Sequence, residues 1–200
     1  MEFEIKRAEF LEGLRLTQGV VERRNTLPIL SNVLIELSGE HGISVLATDL
    51  DIGVRRLCEA TVKGSGSITV NARKLFELVK EIEGESVRVR SLDNHRVEIS
   101  SGKKRSNLVG LDPKEFPSVP GLSGKPGKGA SELKTNASLL GSMIESTLFA
   151  VSLDETRINL SGVYMENHDG SLRMVATDGH RLALVDRKVE SGRVPDKGVI

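Results

Sequence analysis

The 200 residues are 38% hydrophobic and 28% charged, a globular composition with enough chain to bury one large core or two ordinary ones. Lys plus Arg equals Asp plus Glu, 28 against 28, so the basic excess that marks a tight sequence-specific DNA binder is missing. No apolar run reaches membrane-spanning length and the start, Met1-Glu2-Phe3-Glu4, lacks the pattern of an export signal, so the expectation is a cytoplasmic protein with a core of Leu, Ile, Val and Ala.

Phe3 and Ile5 alternate with polar residues and predict a short first strand. Over 8–21 the period becomes helical, with Phe10, Leu14, Thr17 and Val21 on one stripe and Glu9, Glu12 and Arg15 outside it. Pro28 cannot continue that helix. Strand-like runs follow at 30–37, 43–47, 53–62 and 67–70, several of them separated by turns containing Gly39, Gly42, Gly64 and Gly66. Cys58, in the third run, is a lone cysteine and is expected to act as a small apolar side chain. A second helix is predicted over 72–83, with Leu75, Leu78, Val79 and Ile82 facing the core, and strands at 86–90, 96–100 and 105–111. This order predicts an α+β fold in which helices cover antiparallel sheets.

Residues 112–130 carry Pro113, Pro117, Pro120 and Pro126 among Gly, Ser and Lys, the composition of a linker. The expected division is a first domain at 1–120 and a second at 121–200. Beyond the linker the opening pattern returns: a strand at 133–135, a helix over 137–150 and strands at 160–166 and 172–177. Leu30-Ser31-Asn32-Val33 matches Leu160-Ser161-Gly162-Val163, a step of 130 residues, and Val45-Leu46-Ala47-Thr48-Asp49 matches Met174-Val175-Ala176-Thr177-Asp178, a step of 129. Two matches at nearly one offset predict a duplicated unit. The second copy ends before its second helix and last strands, so the chain is expected to be part of a longer protein.

The stretch Val175-Ala176-Thr177-Asp178-Gly179-His180-Arg181-Leu182-Ala183 resembles the bacterial β sliding clamp family, the β subunit of DNA polymerase III. Thr26-Leu27-Pro28-Ile29-Leu30, Val70-Asn71-Ala72-Arg73-Lys74-Leu75 and Phe116-Pro117 resemble other segments of the same family, in order and with compatible spacing. The resemblance implies repeated clamp domains, helices on an inner face and antiparallel sheets on an outer one, closed as a head-to-tail homodimer ring. It implies a non-catalytic processivity factor that encircles double-stranded DNA and tethers the polymerase III catalytic subunit, with the clamp loader and other polymerases as further partners. It places a partner-peptide pocket at Leu160, Thr177, Gly179, His180, Arg181 and Leu182, DNA-facing charge at Arg24, Arg73, Lys74, Lys80 and Arg157, and a ring interface at Lys74, Lys103, Arg105 and Leu108. The loop 154–159 lacks the glutamine and paired tyrosines some members carry, and Ser106 stands where an aromatic is sometimes found.

Two other readings stay open at this point. Asp178 and His180, two apart on an assumed strand, would share a face and could form an acid–base pair of a small hydrolase. Neither a nucleophile motif nor a metal-ligand spacing accompanies them, and the recurrence of Asp49 and Asp178 at strand ends is better explained by turn capping. A duplicated peptide-binding adaptor that never meets DNA is the other. The glycine-rich stretches carry no nucleotide fingerprint, and no cofactor is expected.

Overall fold

The computed structural model describes residues 1–21, 27–39, 42–118, 133–154, 156–189, 191–192 and 197–199. The chain divides into two compact units, Met1–Lys125 and Pro126–Ile200.

Unit one begins with β1 (Glu2–Lys6) and α1 (Arg7–Thr17), then a 3-10 turn, Pro28–Ser31, that leads into β2 (Asn32–Leu37). β3 (Gly42–Thr48), β4 (Gly53–Glu59), β5 (Thr61–Lys63) and β6 (Ser67–Asn71) follow, then α2 (Ala72–Lys80), β7 (Ser86–Ser91), β8 (Arg96–Ser101) and β9 (Lys104–Val109). They form two antiparallel sheets, one in the order β5-β1-β7-β8-β9 and the other β4-β3-β2-β6. The inward residues of both sheets, including Phe3, Val33, Val45, Val70, Val89 and Ile99, meet Phe10 and Leu14 of α1 and Leu75 and Val79 of α2 in one core.

The two helices lie side by side and antiparallel. Arg7, opening α1, donates to the carbonyls of Val79 and Lys80 at 3.1 and 2.8 Å, placing a cation on the negative end of α2. At the other end Gln18 donates to the Ala72 carbonyl. α2 starts where Asn71 Oδ1 accepts the Lys74 amide at 3.0 Å, a cap worth about 1 kcal/mol. Gly13 lets α1 approach β4, since a Cβ there would meet Cys58 Sγ at 2.8 Å. That packing buries Cys58, and burial raises its thiol pKa to about 11.

Several sequence expectations change: α2 ends at Lys80 rather than 83, and β9 ends at Val109 rather than 111. α1 ends at Thr17 rather than 21, and a turn continues to Val21. Leu30 belongs to the 3-10 turn rather than to a strand. The run expected as a single strand at 53–62 is two strands in different sheets, with only Ala60 between them.

Unit two contains β10 (Leu133–Lys134), α3 (Ala137–Leu148), a 3-10 turn at Ile158–Leu160, β11 (Tyr164–His168), β12 (Ser171–Thr177), β13 (Leu182–Lys188), β14 (Ser191–Gly192) and β15 (Lys197–Val199). Its sheet order, β13-β12-β11-β15, repeats β4-β3-β2-β6, and the β10–β14 pair repeats β1–β5. Unit two is thus built on the same plan as unit one as far as the sixth strand. Met143 of α3 packs with Leu172, Met174, Ala176, Ala183 and Val185 in a separate core. The expected strand at 160–166 proves to be the 3-10 turn followed by β11, and β13 was not foreseen.

Candidate functional site

The residues singled out around 177–182 lie at one end of the β12–β13 hairpin. Thr177 closes β12 and Leu182 opens β13, directly opposite each other. Between them Asp178 Oδ1 accepts the amides of His180 and Arg181 at 2.9 and 3.0 Å, while Oδ2 accepts Arg181 Nε at 2.9 Å. Thr177 Oγ1 accepts the Gly179 amide and donates to the Arg181 carbonyl. Gly179 has φ +90°, a conformation glycine adopts without penalty.

Unit one carries the same knot. Asp49 Oδ1 accepts the amides of Asp51 and Ile52, and Thr48 Oγ1 accepts the Leu50 amide and donates to the Ile52 carbonyl. Leu50, with φ 87°, occupies the place of Gly179. Here the assumption that Asp178 and His180 share a strand face fails: they sit in a tight turn. Hydrogen bonds from the His180 amide first, then the Arg181 amide, hold the Asp178 carboxyl down to about pKa 2. So weak a base is poorly suited to general-base catalysis near neutrality. Asp178 caps the turn.

Along β11, β12 and β13 the outward side chains form rows. Tyr164 lies opposite Val175, and Val175 opposite Leu184; Thr177 and Leu182 make the next row. Leu182 and Leu184 are 64% and 50% exposed, while the alternate residues Ala183 and Val185 face the core. The 3-10 turn brings part-exposed Leu160 and exposed Ile158 to the same unit, fixed by the Ser152 amide on the Leu160 carbonyl at 2.9 Å. Arg157 ion-pairs with Asp154 at 3.3 Å and reaches the Asp178 carbonyl at 3.5 Å, tying this turn to the hairpin. Arg181 lies over the Phe149 ring at 5.7 Å. Phe149, Ile158 and Leu184 were missed in the sequence; the alternation Leu182, Ala183, Leu184, Val185 was the signal for a strand with one apolar outer face. The arrangement is an apolar strip rimmed by arginine and an ordered turn, the makings of a surface for a short peptide.

The basic residues fall elsewhere. Arg73, Lys74 and Lys80 are exposed on α2; Arg73 pairs with Glu77 at 2.9 Å, and among the described residues Lys74 and Lys80 make no ion pair. Arg24 lies outside the described residues. Lys103 is in the β8–β9 turn, and Arg105 and Leu108 are on β9, which among the described residues is paired on one side only. Arg105 is 3.4 Å from Glu98, and Leu108 packs against the core. A cavity of about 220 Å³ lies where the end of α2 faces β8 and β9, lined by Leu78, Ile82, Ile99 and Ser106. Among the described residues no three His, Cys, Asp or Glu side chains gather as a metal site, and no helix is long and apolar enough to cross a membrane.

Fold and surface together define a tandem α+β protein in which helices back antiparallel sheets. Residues 1–120 match the model of the DNA polymerase III beta subunit N-terminal domain, and residues 134–200 match that of its central domain. Similar curated proteins include the beta sliding clamps of Caulobacter vibrioides, 40% identical, and Pseudomonas aeruginosa, 36% identical; each alignment covers 100% of this chain and 54% or 55% of the relative. The sliding clamp structure from Bacillus subtilis superimposes over 100% of this chain and 53% of its own with TM-score 0.89 at 31% identity. The chain belongs to the DNA polymerase III beta subunit family, and it spans about half the length of the curated relatives it matches.

Proposed function

We propose that this chain forms part of a DNA sliding clamp, a non-catalytic processivity factor that works in the cytoplasm as a ring around duplex DNA. The carrying observation is that the clamp unit occurs twice in tandem, with unit two repeating the strand order of unit one. In this reading 1–120 and 121–200 are the first clamp domain and part of the second. Two copies of the complete protein close head to tail through the one-sided edge of β9, where Lys74, Lys103, Arg105 and Leu108 meet the neighbour. Addition of a strand to a free edge satisfies its amides and carbonyls, which supports β9 as the joint.

The helices face the central hole. Arg73, Lys74 and Lys80, joined by Arg24 and Arg157, supply loose phosphate contacts with no base readout. Zero net charge suits this task, because a strong field would arrest sliding. Partners, among them the polymerase III catalytic subunit and the clamp loader, insert a linear peptide at Leu160, Thr177, Gly179, His180, Arg181 and Leu182. The exposed aliphatic groups accept its apolar anchors, and the glycine turn permits close backbone approach.

Topology gives the decisive test. The complete protein, loaded on circular DNA, should stay bound and should escape when the circle is cut; equal loss from both forms ends the ring reading. Leu182→Asp in that protein should weaken a polymerase-derived peptide by about 1–3 kcal/mol, through a charge set into an apolar contact. Unchanged peptide affinity removes the docking assignment.

A further inference from the structure

We infer that unit one holds a cleft of the same construction as the outer face of unit two, occupied by the chain's own segment 110–116, and that emptying it creates a binding site for short peptides with one aliphatic and one aromatic anchor. The strand registers carry this. Leu34 lies opposite Leu46 in unit one as Tyr164 lies opposite Val175 in unit two, and the preceding 3-10 turns supply Leu30 and Leu160. The turns that follow β3 and β12 share all four side-chain hydrogen bonds to the backbone.

In unit one this face is covered by the chain itself. Leu30, Leu34 and Leu46 are 0%, 8% and 9% exposed, packed with Ile29 under Phe116 and Leu111. Leu160, Tyr164 and Val175 are all part-exposed. The covering segment is fastened at its start: the Leu111 amide donates to Thr69 Oγ1 at 3.0 Å, that hydroxyl donates to the Leu111 carbonyl at 2.6 Å, and the Gly110 amide donates to the His95 carbonyl. It then makes a 3-10 turn, Pro113–Glu115, capped by Asp112 on the Lys114 amide, with Lys114 and Glu115 outward and Phe116 inward. The segment therefore binds as a peptide would, through backbone pairing at one end and an aromatic anchor at the other. Because it is tethered, it competes at an effective concentration in about the millimolar range, which closes the cleft to free peptides.

The likeness to a peptide-binding face rests on the function proposed above, but the experiment reads unit one alone. A labelled synthetic peptide of residues 110–118 is titrated into the wild-type chain and into Phe116→Ala. It should bind the variant at least about tenfold more tightly than the wild type, as expected when a tethered competitor is removed. The same peptide with alanine in place of its phenylalanine should lose that advantage. Adding Leu182→Asp to the variant should change nothing; loss of binding would place the peptide on unit two and overturn the inference. Equal affinity for wild type and variant, or no binding to a folded variant, overturns it as well. If Phe116→Ala does not fold, Phe116→Leu is read instead by thermal unfolding. A peptide-induced rise in Tm confined to that variant supports the cleft, and no rise refutes it.

Discussion

Asp178 owes its depressed pKa first to the His180 amide, then to the Arg181 amide, with the guanidinium of Arg181 a lesser contributor. The folded value, about 2, lies below the ordinary 3.8, so the turn gains stability from the ionised carboxylate at pH above about 4 and loses it as pH falls toward 2. An NMR titration of the side-chain carboxyl should give a midpoint near 2. In Arg181→Ala it should stay well below the ordinary range, because the backbone amides remain; full recovery would assign the whole effect to the guanidinium. This residue also shows a limit of sequence reading. Asp178 and His180 looked like neighbours on one strand face because alternation was assumed to run through Gly179, yet the positive φ there turns the chain back. The recurrence of Thr-Asp in both copies was the better guide, since both side chains are spent on turn amides.

The helices were the most readable elements, because an apolar stripe at helical spacing must face a core. The second helix starts at Ala72 as expected, while Pro28, read only as the break after the first helix, opens a 3-10 turn. Boundaries set by tertiary packing were not readable. Ala60 separates two strands whose sequence runs on without a break, and 182–188, of which the resemblance places only Leu182 in the pocket, forms a strand that the sequence reading did not include. β2 and β3 are buried on both faces, one by the main core and the other by Leu111 and Phe116. Their continuous apolar runs reflect that second layer. Gly110 opens this segment where its backbone lies so close to the Thr69 carbonyl that a Cβ would collide with it. Gly110→Ala should destabilise the chain by about 1–3 kcal/mol, as overpacking against an immovable backbone does. Urea unfolding measures this, and a change within a few tenths of a kcal/mol would show that the segment can swing clear.

Taken whole, the chain puts its charges in two kinds of place. Glu4–Arg88, Glu98–Arg90 and Glu98–Arg105 neutralise one another across the β1-β7-β8-β9 sheet, whereas α2 keeps Lys74 and Lys80 without ion pairs among the described residues. In the ring reading, Lys74 and Lys103 steer the neighbouring copy onto β9. Lys74→Glu with Lys103→Glu should therefore raise the dimer dissociation constant of the complete protein at low salt about tenfold or more, with the effect shrinking as salt is added. Sedimentation at several ionic strengths would read it, and an unaltered constant would move the joint away from this edge. In the ring reading the passage from β4 to β5 has a mechanical consequence. With a single residue between a strand of one sheet and a strand of the other, the two layers of unit one share a covalent seam. Tension along the rim would cross that seam through bonds rather than side-chain packing, so strain from an opening ring would be passed on to its joints.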